Sequence, residues 1–142
     1  MAELNFTEKD LENRETMLWK DERCEAITGG ENKNRFLLYQ LKYSMMNADR
    51  IDIIVSFLME SGVRMLLKDL QRALERGTRI RILTGNYLGI TQPGALYLIK
   101  DALGDQIDLR FYKEKERSFH PKAYIFHKKE FGEIYIGSSN VS

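Results

Sequence analysis

Between residues 50 and 112 three short β-branched runs are separated by two stretches of helical period, and this alternation restricts the possible folds more than any other feature of the chain. Arg50-Ile51-Asp52-Ile53-Ile54-Val55-Ser56-Phe57 is apolar and β-branched enough to be a buried strand. Val63, Leu66, Leu67, Leu70, Ala73 and Leu74 then recur at spacings of three and four, the apolar stripe of a helix that Gly77 ends. Arg79-Ile80-Arg81-Ile82-Leu83 is a second strand. Pro93 suits the first turn of a second helix with Leu96, Ile99 and Leu103 on its core face, and Gly104 closes it. Ile107-Asp108-Leu109-Arg110-Phe111-Tyr112 is a third strand. Strand–helix–strand–helix–strand calls for right-handed crossovers between parallel neighbours. Two further strands come after these, joined through Lys128-Lys129-Glu130-Phe131-Gly132 as a hairpin. The expected architecture is α/β: a three-layer α/β/α sandwich on a mixed, largely parallel sheet. In such sheets ligands sit beyond the C-terminal ends of the parallel strands. That rule makes Ser56, Thr84, Gly85 and Tyr112 expected walls of a site.

The segment upstream is less constrained. Phe36, Leu37, Leu41, Tyr43 and Met45 predict a helix between Asn32 and Asn47. Residues 1–30 are densely charged and are expected to form a helix or loosely docked arm, leaving 31–142 as the folded domain. The 142 residues suffice for one domain with a real core. No apolar run approaches the roughly 20 residues a membrane helix needs, and the N-terminus lacks the pattern of a signal peptide. With one cysteine, Cys24, an internal disulfide is impossible, and a reducing, cytoplasmic setting is expected. The formal net charge of +1 gives no global attraction to nucleic acid. Lys113, Lys115, Arg117, Lys122, Lys128 and Lys129 nevertheless crowd one part of the sequence, either as a local patch or as a solvated loop interleaved with Glu114 and Glu116.

The chemistry is concentrated in two segments. Ser118-Phe119-His120-Pro121-Lys122 starts one predicted strand, and alternation points His120 and Lys122 to the same face. Ile134-Tyr135-Ile136-Gly137-Ser138-Ser139-Asn140 is the other, ending in a small loop rich in hydroxyl and amide groups. An antiparallel pairing would set a nucleophile, a cation and neutral donors side by side, which suits a phosphodiester. His120 and His127 should face opposite sides of a strand, so no metal site is expected of them. Neither a phosphate-binding glycine loop nor a Cys/His metal spacing is present in the sequence.

His120, Lys122 and Gly137-Ser138-Ser139-Asn140 together resemble the phospholipase D superfamily, whose signature is H-x-K-x4-D followed by G-S-x-N. His127 stands where that signature has Asp, and the turn after it is about three residues longer than the commonest spacing. Residues 48–58, 82–93 and 109–112 extend the resemblance to the phospholipase D-like module at the N-terminus of certain bacterial superfamily-two DEAD/DEAH helicases. The resemblance implies His120, Lys122 and Asn140 as catalytic residues, Ser138 and Ser139 as phosphate ligands, and no metal or cofactor. It implies a nuclease acting through a phosphohistidine on DNA or RNA, with DNA favoured. A chain carrying one signature is expected to pair as a homodimer. An attached helicase ATPase is expected in a longer protein of which this chain would be a C-terminally shortened part; no membrane partner is expected. The alternative is a catalytically weak module that binds nucleic acid and dimerises. A lipid phosphodiesterase is the third reading.

Overall fold

The computed structural model describes residues 37–114 and 116–141. The arm expected at 1–30 and Lys115 lie outside the described residues. The chain divides between Tyr43 and Ser44. The first helix, α1 (Leu37–Met45), runs across that boundary. The C-terminal unit, Ser44 onward, holds the whole sheet.

That unit is built from β1 (Arg50–Val55), α2 (Glu60–Glu75), β2 (Arg79–Thr84), α3 (Pro93–Leu103), β3 (Ile107–Phe111), β4 (Lys122–His127) and β5 (Gly132–Ile136). Each helix and strand predicted between residues 50 and 112 is present, with ends shifted by a few residues. Pro93 occupies the first turn of α3, and Gly104 comes after its end at φ 60°, a left-handed conformation that glycine adopts without steric cost. The five strands form one mixed sheet in the order β3-β2-β1-β4-β5. β1 pairs in parallel with β2, and β2 with β3. β4 runs antiparallel to β1 and to β5, so it alone opposes the other four strands.

Register and burial together separate the two faces. Ile51, Ile53 and Val55 pair with Phe126, Tyr124 and Lys122 on one side and with Ile80, Ile82 and Thr84 on the other. All nine are buried. Val63, Leu66, Leu70 and Ala73 of α2 and Ala95, Ile99 and Leu103 of α3 are the buried stripes that cover this face. Both crossovers step in the same direction along the sheet, and two right-handed crossovers of that kind place their helices on one face. Ser44, at the end of α1, meets the same face through a 2.8 Å hydrogen bond with Tyr135 Oη. A mixed, mostly parallel five-stranded sheet with its helices is the α/β fold expected from the sequence. The other face carries Ile54, Leu83, Ala123 and the exposed Ile136 at one end, with Ile125 and the exposed Ile134 in register with Asp52. At its other end lies a charged cluster of Arg50, Asp52, Arg81 and His127.

In β4 the sequence reading needs one correction. The strand begins at Lys122, so His120 lies in the irregular segment before it rather than on the strand. Pro121 has no N–H to give a ladder. Its carbonyl instead accepts from Ser56 Oγ at 3.1 Å, which closes the sheet at the Val55–Lys122 pair.

Candidate active site

Because β4 is antiparallel to β1, its start and the end of β5 lie beside the C-terminal ends of β1, β2 and β3. His120, Lys122, Ser56, Gly85, Tyr112 and the Gly137–Asn140 loop therefore gather beyond the C-terminal ends of the parallel strands. Lys122 Nζ is 2.9 Å from His120 Nε2 and 3.3 Å from the His120 carbonyl. An ammonium has donors only, so Nε2 is the acceptor and the ring proton sits on Nδ1. Lys122 is 8% exposed, and among the described residues no carboxylate pairs with it. A buried cation facing only neutral acceptors leaves a strong, unsatisfied demand for an anion.

The imidazole of His120 is exposed to solvent on one side and held on the other. The ring of Tyr87 lies against it, with centroids 4.2 Å apart and planes tilted by 40°. Its neighbour Phe119 stacks on Tyr112 at 4.7 Å. Phe119 can seat there because residue 85 is glycine: a Cβ at Gly85 would come within 2.8 Å of Phe119 Cδ1.

The loop after β5 crosses the strand ends in three tethered steps. Gly137 N–H donates to the Lys122 carbonyl at 3.3 Å, and Tyr124 Oη donates to the Ser139 carbonyl at 2.9 Å. Burial pushes the Tyr124 phenol far above its ordinary pKa, so it remains a donor throughout the range in which proteins are stable. Asn140 Oδ1 accepts from the backbone N–H groups of Ser56 and Phe57, at 3.0 and 3.2 Å. Two donors at one atom fix the amide orientation, which leaves Nδ2 as the group able to donate to a ligand. Beyond it, Met59 N–H donates to the Val141 carbonyl at 2.8 Å.

The residues singled out from the sequence separate into distinct places. His120 and Lys122 touch. Asn140 reaches the end of β1, while Ser138 and Ser139 are exposed on the loop between. Of the four expected wall residues, Tyr112 lines an open cleft, whereas Ser56 and Thr84 have no exposed surface. Ser56 acts from behind, tying Asn140 to the Pro121 carbonyl next to His120. Thr84 Oγ1 is buried without a hydrogen-bond partner. Gly85 is buried as the seat of Phe119. The basic residues do not form one patch: Lys128 turns inward, 3.0 Å from Glu133 and over the Phe131 ring, at the far end of β4.

Two residues at the site had not been assigned to it from the sequence. Phe119 was inside the signature segment but carried no assigned role, and Thr91 links the ends of β1 and β2 by accepting from Leu58 N–H and donating to the Gly85 carbonyl. Asp52, unassigned as well, lies at the other end of the β1–β4 pairing. His127, standing where the signature has Asp, donates from Nε2 to Asp52 Oδ2 at 2.9 Å, so the neighbouring strand supplies a carboxylate beside it. A charged residue at an otherwise apolar β1 position was the available signal.

A histidine just ahead of β4 on a buried lysine, closed by a tethered Gly-Ser-Ser-Asn loop at the C-terminal ends of the parallel strands, defines a phospholipase D-like domain. The family model described as cardiolipin synthase, PLD-like domain, matches residues 41–142, and the chain belongs to that family. Its superfamily is of phosphodiesterase type. No curated protein gave a significant match to the chain. Among the described residues, no helix is long and apolar enough to cross a membrane, and no group of three or more His, Cys, Asp or Glu could hold a metal ion.

Proposed function

We propose that this chain is a metal-independent nuclease module that cleaves DNA or RNA phosphodiesters through a phosphohistidine at His120. The observation that carries the reading is Lys122: a buried ammonium, 2.9 Å from a histidine nitrogen and without a carboxylate partner among the described residues. A nonbridging phosphate oxygen would satisfy that cation, and in moving onto it Lys122 would release the Nε2 lone pair for attack.

The first displacement forms an Nε2–P bond and breaks the bond from phosphorus to the leaving oxygen, which takes up a proton. In the second, water attacks phosphorus, the N–P bond breaks, and a proton is removed from the water. Lys122, Asn140 Nδ2 and the hydroxyls of Ser138 and Ser139 offset the charge that collects on the phosphoryl oxygens. Donors of this kind contribute on the order of 3 kcal/mol each when water is excluded. One group must give the first proton and accept the second. A second His120, brought by a two-fold related copy of the chain, fills that role, which makes the functional unit a homodimer. One neutral and one protonated imidazole would then be required together, so kcat/KM follows a bell-shaped pH profile. Attachment to a helicase ATPase in a longer protein belongs to the same proposal and rests on the sequence resemblance alone.

Cleavage of single-stranded and duplex DNA and RNA in excess EDTA tests the reading. Cleavage should persist in EDTA and fall at least about a thousandfold in His120→Ala. Nucleic-acid binding by folded protein with no cleavage under any condition favours the binding-and-dimerisation module instead.

A further inference from the structure

Beside His120 the surface opens into a cleft of about 680 Å³, walled by Tyr87, Phe111, Tyr112 and Phe119. Tyr87 and Phe119 are shared with the nucleophile: one is against its ring, the other precedes it in the chain. The cleft also carries Lys113 and Arg117, which make no ion pair among the described residues, and one acid, Glu114, which accepts from Tyr112 Oη at 3.0 Å. At its rim stands Leu88, 78% exposed and at φ 54°. A left-handed leucine is strained, and strain held at a surface turn is characteristic of functional positions.

We infer that this cleft takes a nucleobase of the strand whose phosphate lies at His120, so that the substrate is a single-stranded polynucleotide rather than a duplex or a lipid. The inference rests on the phosphodiesterase reading of His120 and adds the substrate class. Aromatic walls offer every base a planar contact, and two unpaired cations suit the phosphates flanking it. A base standing in the cleft beside the reacting phosphate has left any duplex stack, which disfavours double strands. A lipid phosphodiester presents no flat ring to these walls.

Two chromogenic esters that share a leaving group read the cleft directly: thymidine 5′-(4-nitrophenyl phosphate), which has a base, and methyl 4-nitrophenyl phosphate, which has none. Tyr112→Ala should lower kcat/KM about tenfold more for the thymidine ester than for the methyl ester, while Tyr112→Phe, which keeps the ring, should preserve both. A second arm uses His120→Ala, measuring anisotropy with labelled oligothymidylate, its duplex, an abasic strand of equal length, and competing phosphatidylglycerol vesicles. The oligothymidylate should bind about tenfold tighter than the duplex or the abasic strand, and adding Tyr112→Ala should erase that margin. Turnover of both esters without dependence on the base overturns the inference and leaves the phosphodiesterase reading standing. Base-dependent binding with neither ester cleaved keeps the cleft and removes the catalytic reading. Binding of vesicles in preference to every oligonucleotide, or no base dependence in either arm, overturns the inference.

Discussion

At the scale of single residues, the two lysines of β4 and its hairpin show how the same side chain is used in opposite ways. Lys128 is buried against Glu133, its charge answered within the chain. Lys122 is buried with His120 Nε2 and a carbonyl as its partners, both neutral. Only the second arrangement invites a ligand. Thr84 is the complementary case, a buried hydroxyl with no partner, 0% exposed and facing the core side of β2. Replacing a buried orphan polar group with an apolar group of the same shape removes a desolvation cost. Thr84→Val should therefore leave stability unchanged or raise it by about 1 kcal/mol, read from the urea midpoint, with activity retained. A loss of several kcal/mol would mean that Thr84 has a polar role. From sequence alone Thr84 was placed among the walls of the site. The strand period and the end of β2 were legible, but whether the last strand residue points inward or outward depends on pairing register, which a single chain read by itself does not state.

The β1–β4 pairing is the element on which the site depends, since it carries Lys122 to the end of β1. Its other end is closed by Asp52, which receives Arg81 in a two-point contact at 2.6 and 3.0 Å and His127 at 2.9 Å. The Arg81 hydrogen bonds chiefly, with help from His127 and against the effect of burial, hold the Asp52 carboxyl below its ordinary pKa. A depressed folded pKa means that the stabilisation is present above the unfolded value, about 3.9, and is lost as pH falls through the folded one. Asp52→Asn should accordingly cost about 2 kcal/mol at neutral pH and flatten the acid limb of the stability curve below about pH 4. Denaturant titrations from acid to neutral pH on both proteins check this, and parallel curves would contradict it. The sequence showed His127 as a departure from the signature and no more. Its carboxylate partner lies 75 positions away on the neighbouring strand, and only the sheet order brings the two together.

For the whole molecule, the alternating pattern between residues 50 and 112 was enough to read the sheet and its helices, because each apolar run has one period and one buried face. What periodicity could not give was the sidedness of the layers. That comes from the order β3-β2-β1, which sends both crossovers over one face. The signature residues were legible as a set, yet the cleft was not. Tyr87, Tyr112 and Phe119 come from three different segments and line one cleft, with Phe119 seated where Gly85 leaves room for it. The dimer proposal belongs to this scale as well. Specific activity should fall on dilution in step with dissociation followed by sedimentation, and full activity in a proven monomer would contradict a shared site.

The proposed mechanism bonds His120 to phosphorus. Rapid denaturing quench of the reaction with a substrate carrying ³²P at the scissile phosphate should yield protein-bound label that is stable in alkali, labile in acid and absent from His120→Ala. Peptide mapping should place the label on His120. Cleavage that proceeds with no protein-bound phosphate on the turnover timescale, or with label on any other residue, would contradict the account.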